Sequence, residues 1–187
     1  VGVDSPYGAI MNSLGLSRLD LATLGLGLCY FANDIEELLT MRSSTAKVVQ
    51  RLPEWLPLPL SLREQGVNQA HINLAVGLIG MHWVGASLAG FRSGGRSVWF
   101  QNAAAAWSLH GFAHIGSSLM MRGYTSGVAT APLVLGYGVF AFHELRVAGV
   151  PKQVTPSGVA VSGVALLAAH SGAALLLHTW RHLSCSR

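Results

Sequence analysis

The segment Asn33-Asp34-Ile35-Glu36-Glu37 places three carboxylates within little more than one helical turn, at the end of an otherwise apolar stretch. Ionisable groups at membrane depth are costly and normally face a bundle interior or a cavity. At about 100° per residue, Asn33, Glu36 and Glu37 are read as sharing one face, with Asp34 turned elsewhere. Two adjacent carboxylates repel, so such a pair can keep one proton. A protonated carboxyl in an apolar pocket is a competent general acid. The competing reading is a solvated helix end, with the acids in the headgroup layer near Arg42.

His110 and His114 form the second constellation. At i and i+4 they stack on one helix face. That spacing suits two ligands to one metal, because neutral imidazole is a common ligand. It suits a proton relay or buried hydrogen bonding equally well. Gln101 and Asn102 precede the pair by about two turns, and Ser117 and Ser118 follow it. His71 and His82, His143, His170 and His178 recur in other apolar stretches and are read as bundle packing, as are Asn68, Gln69 and Asn73. Trp83, Trp107 and Tyr137 can wall an apolar pocket or simply fill the core.

These groups need helices to hold them. The chain has 187 residues, 51% hydrophobic and only 11% charged, with a mean hydropathy of +0.44. A soluble domain carries roughly 25% charged residues, so there are too few ions to cover a water-facing surface. The expected fold is a single all-α domain over residues 1–187, a polytopic membrane bundle of about five transmembrane helices. The spans are expected near 19–39, 66–91, 98–121, 128–145 and 158–180, behind an interfacial lead-in over 1–17. Pro53, Pro57 and Pro59 forbid a continuous helix through the long loop 40–66. The net charge of +4 would suggest nucleic acid in a soluble protein. Here the arginines flank apolar runs and are read as meeting lipid headgroups, so no nucleic-acid partner is expected. Cys29 and Cys185 show no metal-knuckle spacing and are expected as free thiols. No charged n-region precedes a cleavage site, so the first span is expected to double as the insertion signal. Five spans put the termini on opposite sides. The larger set of basic residues then favours a cytoplasmic C-terminus for a multi-pass cell-membrane protein.

The block Asn33-x-x-Glu36-Glu37, a histidine-bearing helix, and Arg122-x-Tyr124-x-x-Gly127-x-x-Thr130 together resemble a family of small bacterial integral membrane proteins named for an HxxEE motif. The resemblance extends from the first span through the fourth. Asn33 stands in place of the motif histidine, and Ser126 stands where proline is expected. The resemblance implies which residues matter rather than what they do: Glu36, Glu37, His110 or His114, Arg122, Tyr124 and Thr130. Asparagine is a poor transition-metal ligand, so the replacement weakens a metal reading and leaves an acid–base reading intact.

The leading expectation is an enzyme of terpene-cyclase or double-bond-isomerase type, acting on an isoprenoid or lipid-like substrate in the bilayer. Glu36, Glu37, His110, His114 and Tyr124 are its catalytic candidates. Asn33, Arg122, Trp107 and Thr130 are its substrate-binding candidates, and no metal or other cofactor is expected. The alternative is a metalloenzyme in which Glu36, Glu37, His110 and His114 bind iron or zinc for oxygenase or hydrolase chemistry. A third reading is a non-enzymatic lipid-binding or transport subunit. The expected partners are the bilayer and a hydrophobic small molecule, with homo-oligomerisation left open.

Overall fold

The computed structural model describes residues 15–185, and the described residues contain helices and no strand. Six helices follow in order: α1 (Arg18–Gln50), α2 (Leu60–Gln65), α3 (Gln69–Arg92), α4 (Val98–Met120), α5 (Ala131–Val147) and α6 (Pro156–Cys185). The expected interfacial lead-in lies largely outside the described residues.

Local chemistry sets the helix starts. Ser17 accepts from Asp20 N and its own N–H donates to the Asp20 carboxylate at 2.9 Å, a capping box that opens α1. Asn68 caps α3 through Ala70 N, and Ser97 caps α4 through Phe100 N. The first helix runs 33 residues, about three turns past its expected end, because nothing from Thr40 to Gln50 breaks it before Pro53.

Two helices are long and apolar enough to cross a membrane, Gln69–Arg92 and Pro156–Trp180. The other three long helices fall short of that measure for visible reasons. The acids of the motif interrupt α1, Gln101, Asn102, His110 and His114 dilute α4, and α5 has only 17 residues.

The bundle packs α1 against α3 and α5, α4 against α3 and α5, and α6 against α3 and α4. Helices α1 and α4 thus face one another diagonally across the interior. Leu26, Tyr30, Trp83, Phe100, Trp107 and Val134 fill the core, with alanines between them. Close approach relies on small residues. Gly90 leaves room for the Phe100 ring, and Gly80 leaves room for Tyr30, whose hydroxyl donates to Val76 O at 2.6 Å. Outward faces are apolar on all five long helices, as at Phe31, Leu88, Phe112, Val139 and Leu167. Cys29 is a buried free thiol, as expected; the Cys185 side chain lies outside the described set.

Candidate functional site

The lower half of α1 carries two different devices. Asn33, Asp34 and Glu37 are buried, at 0%, 6% and 6% exposure, whereas Glu36 is half-buried. The expectation that Glu36 and Glu37 share a face and Asp34 turns away is overturned. At about 100° per residue, Glu37 lies 60° from Asp34 and 100° from Glu36. The adjacent glutamates therefore serve different neighbours.

Glu36 faces α5. Its carboxylate accepts from Ala129 N at 3.1 Å, Thr130 N at 2.8 Å, Thr130 Oγ1 at 2.7 Å and the Tyr124 hydroxyl. Thr130 is the N-cap of α5 but makes no cap bond of its own. Glu36 supplies the anion that this helix N-terminus favours. Thr130 Oγ1 is also 2.9 Å from Asn33 Oδ1, joining the α5 start to the motif. Burial and the Glu36 hydrogen bond hold the Tyr124 phenol above its ordinary value. This saturated carboxylate is an anchor, and Tyr124 and Thr130 are its partners. Ser126, in the place of the expected proline, donates its N–H to Ser44 Oγ at 2.9 Å, and its hydroxyl pairs with Thr40 at 2.8 Å. Proline has no N–H for the first of these bonds. Arg122 sits exposed in the turn with a left-handed φ of 46°, apart from the interior groups.

Glu37 faces the interior. Its Oε1 is 2.9 Å from Asn33 Nδ2, 3.0 Å from His114 Nε2 and 3.6 Å from His110 Nε2. The two imidazole Nε2 atoms are 2.8 Å apart. One carboxylate oxygen and two ring nitrogens, each able to ligate a cation, thus converge within 4.8 Å of one another. Zinc holds its nitrogen and oxygen ligands at roughly 2.0–2.2 Å in a tetrahedron, which puts neighbouring ligand atoms about 3.3–3.6 Å apart. The three atoms, at 2.8–3.6 Å from one another, approach that spacing and reach it if the imidazoles part by about half an ångström. A neutral imidazole can donate from Nε2 or accept there according to its tautomer, so the same contacts serve either a hydrogen-bonded Glu37–His114–His110 chain or a bound cation.

Surrounding groups hold the triangle. Trp107 stacks on His110 with ring centroids 5.1 Å apart, and Trp83 packs on Trp107 at 5.0 Å. Gly127 backs His114: a Cβ there would overlap the imidazole ring, and its φ of +83° is a glycine conformation in any case. Asn33 passes α5's hold on to Glu37, with Oδ1 on Thr130 and Nδ2 on Glu37.

A cavity of about 150 Å³ opens on these atoms, walled by Asp34, Glu37, His110, His114, Trp107 and His170, among others. Asp34 and His170 are the site residues that the sequence reading missed. Asp34 was excluded by the face assignment, which the angular arithmetic of the helix corrects. His170, assigned to packing, lies on α6 and pairs with His71 across a 3.1 Å contact. Nothing in its local sequence points to the cavity. Gln101 and Asn102 lie elsewhere. They pin the α5–α6 connection through Pro151 O, Gln153 N, Gln153 O and Thr155 N.

The fold and the site together define an all-helical bundle, over the described residues, with a partly buried carboxylate–bis-histidine cluster between diagonal helices. The chain belongs to the family described as proteins of unknown function with an HXXEE motif, whose profile matches residues 24–142. That stretch contains every atom of the triangle and its anchor. Neither a curated protein nor a solved structure matches the chain.

Proposed function

We propose that the protein is a membrane-embedded metalloenzyme whose ion is held by Glu37, His110 and His114. The observation that carries the reading is the convergence of Glu37 Oε1, His110 Nε2 and His114 Nε2 at 2.8–3.6 Å from one another, at the wall of an interior cavity. Two histidines and one carboxylate with open positions are the donor set of zinc hydrolases and of non-haem iron oxygenases. An ion in this set supplies Lewis acidity and an activated water.

The chain's own residues do the rest. Asn33 orients Glu37, as hydrogen bonds to ligating carboxylates commonly do. Trp107 and Gly127 fix the two rings. Glu36 fastens the start of α5 and so holds Thr130, Asn33 and the Gly127 turn in register. The metal-free acid–base reading places its acid at Glu36 or Glu37. It is less well supported, because Glu36 is saturated by four donors and Glu37 faces two imidazoles and an amide.

The same reading places α1, α3, α4, α5 and α6 across a bilayer with the termini on opposite sides. Its support is the apolar outward face on each of the five, together with the hydropathy of α3 and α6. Elemental analysis of gently purified protein tests the centre. One zinc or iron per chain is expected, lost in His114→Ala. Metal-free protein that also fails to take up added Zn²⁺ or Fe²⁺ overturns it.

A further inference from the structure

A second hollow adjoins the site. Between α1 and α3, a groove of about 420 Å³ opens sideways on the outer face of the bundle. Its walls are almost wholly apolar, with Phe31, Ile35 and Met81 on the exposed rim. It shares Tyr30, Asp34 and Val76 with the 150 Å³ cavity that holds the triangle. The two hollows therefore lie on either side of Tyr30, Asp34 and Val76, with the Tyr30 hydroxyl bonded to Val76 O between them. Two glycines of α3 shape the groove. A Cβ at Gly77 would meet nothing within 4 Å, so the missing side chain leaves open space, whereas a Cβ at Gly80 would press on the Tyr30 hydroxyl at 2.9 Å.

Asp34 is the unexplained group at this junction. It is only 6% exposed, yet its carboxylate makes no hydrogen bond or ion pair with any described residue. Its carboxyl group is left accessible to the two hollows it lines, the place where a polar ligand group could satisfy it. Every other buried acid has a partner: Glu37 has Asn33 and the histidines, and Glu144 has Arg18, at 3.0 Å from Nε. Asp34 has an acceptor to offer between an apolar groove and a polar cavity.

We infer that the substrate is a long-chain amphiphile with a hydrogen-bond-donating head, such as an alcohol, drawn sideways from the bilayer between α1 and α3. Its tail lies in the groove past Gly77 and its head donates to Asp34, beside Glu37, His110 and His114. The inference deepens the membrane-enzyme reading above, and its test does not need the metal.

The probe is a dodecanol carrying a diazirine in its tail, photolysed with the protein in lipid nanodiscs and mapped by mass spectrometry. Saturable labelling is expected on Phe31, Ile35 and Met81, displaced by excess dodecanol. A tryptophan at Gly77 fills the open space the tail would occupy, so Gly77→Trp should abolish the saturable part of the labelling at these positions. Gly77→Leu serves if the tryptophan variant fails to fold. Asp34→Asn should weaken labelling severalfold and leave the protein folded. Labelling spread evenly over all outward helix faces, or unchanged in both Gly77 variants, overturns the inference. So does a dimer sealed through α1 and α3 that Gly77→Trp dissociates without altering labelling. A parallel Co²⁺ titration separates the two readings: labelling without Co²⁺ uptake sinks the metal centre alone, and Co²⁺ uptake without labelling sinks the groove alone.

Discussion

Replacing Glu37 by glutamine probes the triangle directly. The substitution keeps the side chain's length and an oxygen for Asn33 Nδ2, but removes the only formal negative charge among the three ligand atoms. A ligand that binds the folded state alone stabilises it by RT ln(1 + [L]/Kd), about 2.7 kcal/mol at a free concentration a hundred times Kd. For a chain of this length, each kcal/mol moves Tm by about 2–4 °C. Saturating Zn²⁺ or Co²⁺ should therefore raise the wild-type Tm by about 5–11 °C in a nanodisc thermal melt. Metal-site affinities commonly fall about 10–100-fold when even an outer-shell partner is lost, and loss of a ligand should cost at least as much. At the same free ion concentration the Glu37→Gln and His114→Ala stabilisation should then fall to about 1.4 kcal/mol or less, a shift of about 6 °C at most. Glu36→Gln should keep most of the wild-type shift, because Glu36 touches Thr130 and Tyr124 and none of the ligand atoms. The same metal-induced shift in wild type, Glu37→Gln and His114→Ala would refute the assignment, as would a shift lost only in Glu36→Gln.

Glu36→Gln should instead lower stability in the absence of metal by about 0.5–1.5 kcal/mol, the net worth of hydrogen bonds weakened at a half-buried carboxylate, read as a lower Tm at unchanged metal stoichiometry. Gly127→Ala forces a Cβ into the His114 ring and a left-handed φ on alanine. The φ alone costs about 1–2 kcal/mol, and metal affinity in an equilibrium dialysis should fall by tenfold or more. Asn33→His restores the motif residue at 2.9 Å from Glu37 Oε1, and Co²⁺ absorption should report a tighter site with a changed ligand field; weaker binding would argue that Asn33 acts only by orienting Glu37. Reporter fusions before α1 and after α6 should land in different compartments, and the same compartment for both would remove the five-span topology.

Much of this protein was legible from residue order alone. The five apolar stretches, most about 20 residues long, point to helices, because a helix satisfies its backbone within one segment, and the described residues are helical. The starts of α3 and α4 follow from Asn68 and Ser97, which are local caps. The candidate residues were also visible: the acids of α1 and the i, i+4 histidines of α4 are unusual in apolar helices, and their spacing marks them. Sequence could not say which acid meets which helix. Glu36 and Glu37 are neighbours in the chain, but 100° of helix rotation sends one to the N-terminus of α5 and the other to the interior. That division exists only once α1, α4 and α5 are packed. Tertiary packing likewise brought His114 on to Glu37 across 77 residues of chain and set Gly127 behind it. Packing also left Asp34 without a hydrogen-bond partner among the described residues, lining both the interior cavity and an outward-facing apolar groove. Such contacts depend on the relative rotation and depth of whole helices, which side chains far apart in the sequence decide together.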